Sequence, residues 1–421
     1  MLGALRHRNY RLFLGGQIVS TIGTWMQTVA LPWLALELTH NGFLVGLVLA
    51  AQFLPVLVLG LFAGDIADRY RKRTVLLITQ SAFVVPPLAL FVLTATGQAQ
   101  YWMVVVAAIA TGTINALDVP CRQAFQVEMV GKQDLTNAIA LNSSVFNASA
   151  VIGPSIAGVL IAVAGVPICF LINSISYLAA IAALLLMRDL PAVQRRPEEE
   201  PLLARLAQGA AYARHEPVVG ILLVLVAVFS LFAMNRTTLL PLFAEQVLSV
   251  GAHGFGFLLA SMGLGSMGGA LTLAFFPRLG VEPRRQLWMA AIWVGALLEF
   301  AISRTFLVSL ATLFVAGYCQ ISFLAAVNSR IQAMTPDHLR GRVIALYVEA
   351  LIGVGPLGAT QAGALATLLG APWAMAIGAL IAGAAVLVVR LLRPEVFGQP
   401  RKVSSTAATA SAGTSQRSAR T

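Results

Sequence analysis

The sequence is short of charge. Asp, Glu, Lys and Arg make up 11% of its 421 residues, while apolar side chains make up 58%. A soluble domain carries about 25% charged residues. With so few polar side chains the chain does not build a water-exposed surface, which argues against a solvated enzyme, a disordered protein and a free nucleic-acid binder. Cysteine is scarce too: Cys121, Cys169 and Cys319 stand alone in apolar stretches without CxxC spacing. Neither a disulfide framework nor a zinc site is expected. The five histidines, His7, His40, His215, His253 and His338, are dispersed, with no metal-ligand or triad spacing among them. A phosphate loop, GxxxxGK[ST], is missing as well, because the one Gly-Lys pair, Gly131-Lys132, runs into Gln133. That excludes an ATP-driven pump on this chain.

Long apolar runs are what the chain has in abundance. A helix needs about 20 apolar residues to cross the hydrocarbon core of a bilayer. Twelve runs qualify, near 11–36, 43–63, 74–95, 101–120, 138–163, 167–187, 217–242, 254–276, 287–303, 306–327, 343–369 and 372–392. They lack the period-two alternation of a transmembrane barrel. The first run is too long and too polar for a signal-peptide core and no small-residue cleavage site follows it, so it is expected to stay in the protein. The expected fold class is therefore all-α integral membrane, with twelve transmembrane helices. Charge placement sets the expected orientation. Of 28 Lys and Arg residues, 26 fall in the terminal segments and the alternate connections on one side, leaving Arg236 and Arg304 elsewhere. By the positive-inside rule this places both termini in the cytoplasm of a multi-pass protein of the cell (inner) membrane.

The segment 188–216 interrupts the apolar pattern with Arg195, Arg196, Pro197, Glu198, Glu199, Glu200 and Pro201, and it divides the spans into two sets of six. The sets resemble each other. Leu31-Pro32 recurs as Leu240-Pro241 at an offset of 209, and the run from Ala138 to Leu141 recurs from Val343 to Leu346 at 205. Gly153-Pro154 recurs as Gly355-Pro356 at 202. Because six is even, the copies run in parallel. The expected organisation is an N-terminal six-helix bundle, 1–187, a cytoplasmic central loop, 188–216, a pseudo-symmetric C-terminal bundle, 217–392, and a disordered cytoplasmic tail, 393–421. Parallel six-helix halves are the architecture of major facilitator transporters.

The connection between spans 2 and 3 reads Gly64-Asp65-Ile66-Ala67-Asp68-Arg69-Tyr70-Arg71-Lys72-Arg73. Glycine permits a tight turn, and two acids three apart followed by four bases can form an ion-pair latch. Topogenic charge alone would explain the bases but not Gly64, Asp65 and Asp68. The run closely resembles the G-x-L-A-D-R-x-G-R-R loop of the major facilitator superfamily, with Tyr70-Arg71 in place of x-Gly. The resemblance implies a cytoplasmic gate of Gly64, Asp65, Asp68, Arg69, Arg71, Arg73, Asp118 and Arg122. In that gate Asp65 would face the cytoplasmic end of span 11 and Arg69 would pair with Asp118. Thr111, Asn115, Asp118 and Arg122 share one face of span 4 by their spacing, although an ordinary end-of-helix charge would also explain Asp118.

In span 5, Gly153-Pro154-Ser155-Ile156-Ala157-Gly158 combines a kink with small residues for close helix approach. It resembles the G-P-x-x-G-G motif of the family's antiporters, with Ala157 replacing one glycine, and the resemblance implies efflux. The stretches around Asn9-Tyr10-Arg11, Asp118 to Glu128 and Pro336 to Val343 resemble the branch of enterobactin exporters and macrolide-efflux pumps. An Arg common in that branch just before the Gly-Pro pair is replaced by Ala150.

Gln17, Ser20, Thr21, Thr24, Gln27 and Thr28 recur at helical spacing along span 1. In lipid such a stripe is costly, so it should look into protein or water. Cavity lining and interhelical hydrogen bonding both satisfy it. Asn115, Asn142, Asn147, Arg236 and Gln320 are further cavity candidates, and Trp25, Trp33, Phe229 and Phe323 suggest an amphipathic cavity. Glu349, flanked by Tyr347, Val348, Ala350 and Leu351, is the candidate coupling carboxylate, expected to be buried; a fixed ion pair is the competing reading. Arg236 would bind an anionic solute or pair with an acid. Together these point to a secondary active transporter, not an enzyme, that exports a drug-like or siderophore-like small molecule by proton-coupled alternating access. Uniport or import of a metabolite is the alternative. No cofactor is expected beyond the proton gradient. The expected partners are solute, protons and membrane lipid, with no nucleic acid and a monomeric state.

Overall fold

Hydrocarbon offers backbone N–H and C=O groups no partner, so an apolar chain crossing it must satisfy them within each segment, and the helix does this residue by residue. The computed structural model describes residues 3–188, 202–276 and 282–398; side chains at several helical positions, including 60–69 and Asn147, lie outside the described set. Among the described residues there is no strand. We number the long helices α1 (Arg8–Thr39), α2 (Gly42–Arg69), α3 (Lys72–Ala95), α4 (Tyr101–Gly131), α5 (Asn137–Ile161) and α6 (Pro167–Leu186). The second set is α7 (Pro217–Val247), α8 (Gly251–Phe275), α9 (Pro283–Ile302), α10 (Phe306–Met334), α11 (Leu339–Leu369) and α12 (Ala371–Leu392). Ten of these, α3 to α12, are long and apolar enough to cross a membrane. The 32-residue α1 is long enough, but its polar stripe dilutes it, and among the described residues of α2 the apolar stretch is Gly42–Val56.

Three helices are broken where the sequence weakens them. Gly131, at φ 68°, ends α4 and turns the chain into α5, a conformation that glycine adopts without a Cβ penalty. Helix α7 opens at Ala233–Asn235, restarts at Arg236–Leu242 and ends in a π turn, Phe243–Val247. Helix α11 carries a π turn at Glu349–Gly353.

The first six helices pack on one another, with α1 against α4 and α6, α2 against α4, and α3 against α6. In the second six, α10 packs on α8 and α9, and α12 on α9 and α7. An even number of antiparallel crossings returns the chain to the end where it started. We call that the basic end, since it holds both termini and most of the arginines, and the opposite one the far end.

Two parts of the basic end are more structured than expected. Within 188–216 the residues Leu202–His215 form a helix lying on the first half of α11. Gly209 allows this approach, because a Cβ there would sit 2.9 Å from the Arg342 carbonyl oxygen, and the Tyr212 hydroxyl donates to the Met334 carbonyl at 2.9 Å. Burial raises the pKa of that hydroxyl, with Glu216 adding to the effect, so it stays a donor at neutral pH. The expectation of disorder from 393 onward fails for its first residues. Pro394–Val396 form a 3-10 turn, and Val396 and Phe397 are buried. Arg330, itself buried, donates to the Val396 carbonyl and to Gln286 Oε1, the latter at 3.2 Å. Residues 399–421 of the expected tail lie outside the described residues. Arg330→Gln should release this turn, seen as faster protease cleavage between 393 and 398; unchanged cleavage would mean that apolar packing alone holds it.

Candidate functional site

The densest polar network joins α1, α3 and α4. Asp118 on α4 is fully buried and accepts from Thr79 Oγ1 at 2.7 Å and Gln80 Nε2 at 2.9 Å, both on α3. One turn on, Arg122 donates to the same carboxylate and reaches Gln17 Oε1 on α1 at 3.0 Å. A carboxylate can be held away from water only when paired and fully hydrogen-bonded, and these three donors meet that condition. The implied partner Arg69 has its side chain outside the described residues, as do Gly64, Asp65 and Asp68. The described partners of Asp118 come instead from its own helix and α3.

The rest of the basic run divides its work. Arg71 caps the start of α3 and is exposed. Lys72 is buried and lies 2.8 Å from Glu128 Oε1 near the end of α4. Arg73 donates through Nε and Nη2 to the Leu184 and Leu185 carbonyls, at 2.8 and 3.0 Å. Those are the orphan acceptors at the C-terminus of α6, where a cation also meets the negative end of the helix dipole. Asn9 extends this cap to the Arg188 carbonyl, at 2.7 Å, and the buried Tyr10 hydroxyl holds the Ala138 carbonyl at 2.8 Å. Thr79, Gln80, Lys72 and Glu128 went unselected by motif. Their signal was weaker: polar atoms in apolar runs that need a partner somewhere.

The second half keeps this scaffold without its acid. Gln286 on α9 donates to the Ala326 carbonyl at 3.1 Å and accepts from Arg330. Arg330 and Ala326 stand 208 positions beyond Arg122 and Asp118, and Gln286 stands 206 beyond Gln80. A backbone carbonyl and the turn at Val396 take the place of the carboxylate.

The stripe of α1 divides between the two readings of it. Gln17 is committed to Arg122, and Gln27 accepts from Asn173 on α6. The Thr24 hydroxyl donates to the Ser20 carbonyl at 2.9 Å and lies 3.2 Å from the Tyr177 hydroxyl, yet the residue is exposed. Thr28 bonds back to the Trp25 carbonyl at 2.7 Å. Thr21, Asn115 and Asn142 are half-buried, Gln320 is buried in α10, and the Asn147 side chain lies outside the described residues. The aromatic expectation is corrected. Phe229 and Phe323 are fully buried; Phe229 stacks on Trp293 with ring centroids 4.6 Å apart, and Phe323 lies tilted against Phe229 at 5.1 Å. They are core of the second half, not cavity. Trp33 is buried on Phe255. The accessible aromatic pair is Trp25 with Phe146, 5.3 Å apart and edge-to-face, with Phe146 exposed. Phe146 and the exposed Ile139 lie about 120–140° round α5 from the exposed stripe Ile152, Ile156, Val159 and Val163, so α5 presents two separate apolar faces.

Arg236 follows the break in α7. It is half-buried, and among the described residues it makes no hydrogen bond or ion pair. Glu349, expected to be buried, is exposed instead, because it opens the π turn of α11 rather than continuing the buried face of Tyr347. Glu245 near the end of α7 lies 3.7 Å from His40, the left-handed cap of α1.

The two halves meet along glycines toward the far end. The second part of α11, Gly355–Leu369, packs along α2, and α5 packs on α8. A Cβ on Gly46 would lie 2.3 Å from the Ala359 carbonyl oxygen, and one on Gly363 would lie 2.3 Å from the Gly42 carbonyl oxygen. A Cβ on Gly256 would lie 2.7 Å from Gly158 Cα and 2.8 Å from the Pro154 carbonyl oxygen. Only hydrogen fits at such approaches, so Gly158 serves the contact between halves. Gly153 instead packs within its own half, where a Cβ would be 2.5 Å from Trp25 Cβ. Its counterpart by packing is Gly358 on the Leu231 carbonyl of α7, and that of Gly158 is Gly363, both at an offset of 205. The pair Gly355-Pro356 therefore sits three residues ahead of the place that matches Gly153-Pro154. Among the described residues, the first part of α11 packs on Leu202–His215, α7 and α10.

Comparison with known proteins adds family to this geometry. The chain is similar over 358 residues to the staphyloferrin A transporter of Staphylococcus aureus, at 26% identity, covering 83% of this chain and 87% of that one. It is 25% identical over 414 residues to the enterobactin exporter EntS of Salmonella typhimurium, covering 97% and 96%. It is 26% identical to the multidrug efflux pump Tap of Mycolicibacterium fortuitum, covering 85% and 89%. Among solved structures, its fold is that of a bacterial homolog of the human lysosomal transporter Spinster in an inward-facing, occupied conformation. That match has a TM-score of 0.72 at 14% identity, over 94% of this chain and 99% of that one. The nucleoside transporter NupG matches with a TM-score of 0.69 at 13% identity, over 90% and 98%. A family model described as transmembrane secretion effector, MFS_3, matches residues 1–410. The chain is a multi-pass membrane transporter, and it belongs to the transmembrane secretion effector family of the major facilitator superfamily.

Proposed function

We propose that this protein exports a drug-like or siderophore-like small molecule from the cytoplasm in exchange for protons, by alternating access. The observation that carries the reading is the close seam at the far end. Glycines press α2 to α11 and α5 to α8 toward the far end, closely enough that only hydrogen fits. The positive-inside rule puts the basic end in the cytoplasm, in the inner membrane. A transporter closed at the far end is then loaded from the cytoplasm, as an exporter must be. The relatives named for enterobactin export, staphyloferrin A transport and multidrug efflux support the same solute classes.

In this scheme Thr24, Trp25, Phe146 and Arg236 meet the solute. The guanidinium of Arg236 favours one bearing anionic or chelating oxygens, and the accessible aromatics favour one that is partly apolar. Glu349 takes the proton. Its side chain is exposed in this arrangement and gives its proton up at the basic end, whereas closing that end would withdraw it from water and favour the protonated, neutral form. Arg69, Asp65 and Asp118 act with the charged basic end as the cytoplasmic gate, and the unit works as a monomer.

The test uses everted membrane vesicles acidified inside by respiration. Adding a transported catecholate siderophore, macrolide or lipophilic cation should alkalinise the lumen. Glu349→Gln should abolish that signal, and Arg236→Gln should weaken it for anionic solutes more than for cationic ones. Alkalinisation that survives Glu349→Gln would move proton coupling to another carboxylate. Solute movement without any change of lumenal pH would overturn proton exchange and favour uniport.

A further inference from the structure

A cleft lies outside the seam and away from the residues of the proposed transport path. Between α9 and α12 at the basic end runs a cleft of about 1010 Å³. Its walls are apolar, with Leu287 and Val294 on α9 facing Val386 and Leu387 on α12, and Phe397 closes its base. Two arginines, Arg284 and Arg390, stand at the basic end of these walls. Both are exposed, and among the described residues neither is paired with a carboxylate. Among the described residues, the exposed Glu282 precedes α9, and Glu395 lies 3.5 Å from Arg393. Trp288, one turn along from Arg284, lines the cleft and is 63% exposed.

The dimensions and chemistry of this cleft match one kind of occupant. From Arg284 to Val294 the α9 wall rises about 15 Å, half the thickness of the hydrocarbon core. The cleft thus begins at a membrane surface and spans roughly one leaflet. Paired guanidiniums suit a phosphate, which they can clamp with several parallel hydrogen bonds. An exposed indole one turn from them belongs at the headgroup boundary. Basic pockets between helices at the membrane surface are the sites where anionic headgroups settle. The chain's own residues 399–421 begin beside Phe397, but they carry Arg401, Lys402, Arg417 and Arg420 and no acid. They would bring like charge to Arg284 and Arg390.

We propose that the cleft between α9 and α12 binds one anionic phospholipid from the leaflet at the basic end. Its phosphate sits between Arg284 and Arg390, and an acyl chain lies between Val294 and Leu387. The proposal does not depend on the direction or the solute of transport.

The full-length protein in nanodiscs, with brominated phosphatidylglycerol or brominated phosphatidylcholine at equal mole fraction, provides the test. The Trp288 contribution to fluorescence is obtained by difference against Trp288→Phe. Phosphatidylglycerol should quench it several-fold more than phosphatidylcholine does. Arg284→Gln with Arg390→Gln should bring the two lipids to the same level, and each single change should give an intermediate value. Both arginines are exposed, so the variants should melt like the parent. Equal quenching by the two lipids in the parent overturns the proposal, as does an excess that survives in the double variant. Loss of the excess on adding millimolar inorganic phosphate would assign the cleft to the free ion. An excess that appears only after removal of residues 399–421 would assign it to the tail.

Discussion

Asp118→Ala should lower the unfolding free energy by about 3–5 kcal/mol, the cost of breaking a buried ion pair from one side. The carboxylate has no exposed surface and takes hydrogen bonds from Thr79, Gln80 and Arg122. Its removal leaves three donors facing a void where the carboxylate was fully buried. Asp118→Asn should cost less, about 1–3 kcal/mol, since an acceptor oxygen remains while the charge goes. The decisive variant removes both partners. Asp118→Leu with Arg122→Met should recover more than half of the loss, because most of it comes from the uncompensated cation rather than from missing attraction. Unfolding in mixed micelles by added SDS measures all three. A loss below about 1 kcal/mol for the alanine variant, or a double variant no better than the single, would show that the network is dispensable to the fold.

Gly46→Val and Gly256→Val should each drive the halves apart at the far end. The clashing groups are backbone, the Ala359 carbonyl oxygen at 2.3 Å from the added Cβ and Gly158 Cα at 2.7 Å, so no side chain can rotate out of the way. Overpacking of this kind costs about 1–3 kcal/mol. Confined to one of two alternating states, it changes their ratio about 5–150-fold. Spin labels at Gln98 and Arg304, exposed on the far-end connections α3–α4 and α9–α10, should report a longer distance in either variant than in the parent. The three native cysteines are buried and should not compete for label. Gly295→Val is the control, since a Cβ there meets nothing within 4 Å. Unchanged distances in both seam variants would mean that α2, α11, α5 and α8 yield locally, and that the seam does not set the state.

Much of the architecture is legible along the chain. Each spanning helix is recognisable from its own residues, and α3 to α12 fall close to the expected runs. Helix α1 shows the limit of hydropathy as a signal: Gln17, Gln27 and their neighbours make it too polar by composition, yet they pair with Arg122 and Asn173 on adjacent helices. Internal repetition is legible too, but only to within a few residues. The Gly-Pro pairs align at an offset of 202, whereas packing matches Gly153 to Gly358 and Gly158 to Gly363 at 205. A glycine is indistinguishable in sequence whether it meets a neighbour within its half, as Gly153 does, or across the seam, as Gly158 does.

The candidate site was less legible. Motif resemblance selected Arg71 and Arg73 alike with Asp118, but Arg71 is exposed, Arg73 caps α6, and Lys72 is the buried base, paired with Glu128. Phe229 and Phe323 look like cavity aromatics by position and are core, while Phe146, which no local pattern marks out, is exposed beside Trp25. Glu349 sits close after the buried Tyr347, and the start of a π turn leaves it exposed.

The sequence by itself determined that the chain crosses a membrane on helices, that its cations gather at one end, and that six helices are followed by a similar six. These follow from local composition, because hydrocarbon obliges each segment to satisfy its own backbone whatever its neighbours are. The tertiary structure alone decided which polar groups are paired and which remain accessible, where the halves touch, and that Arg330 meets a carbonyl at Val396 where Arg122 meets Asp118. Those outcomes join residues up to some three hundred positions apart, as Gly46 and Ala359 are. They depend on helix rotation and approach to within a fraction of an ångström, because a hydrogen bond or a backbone contact is gained or lost over that distance.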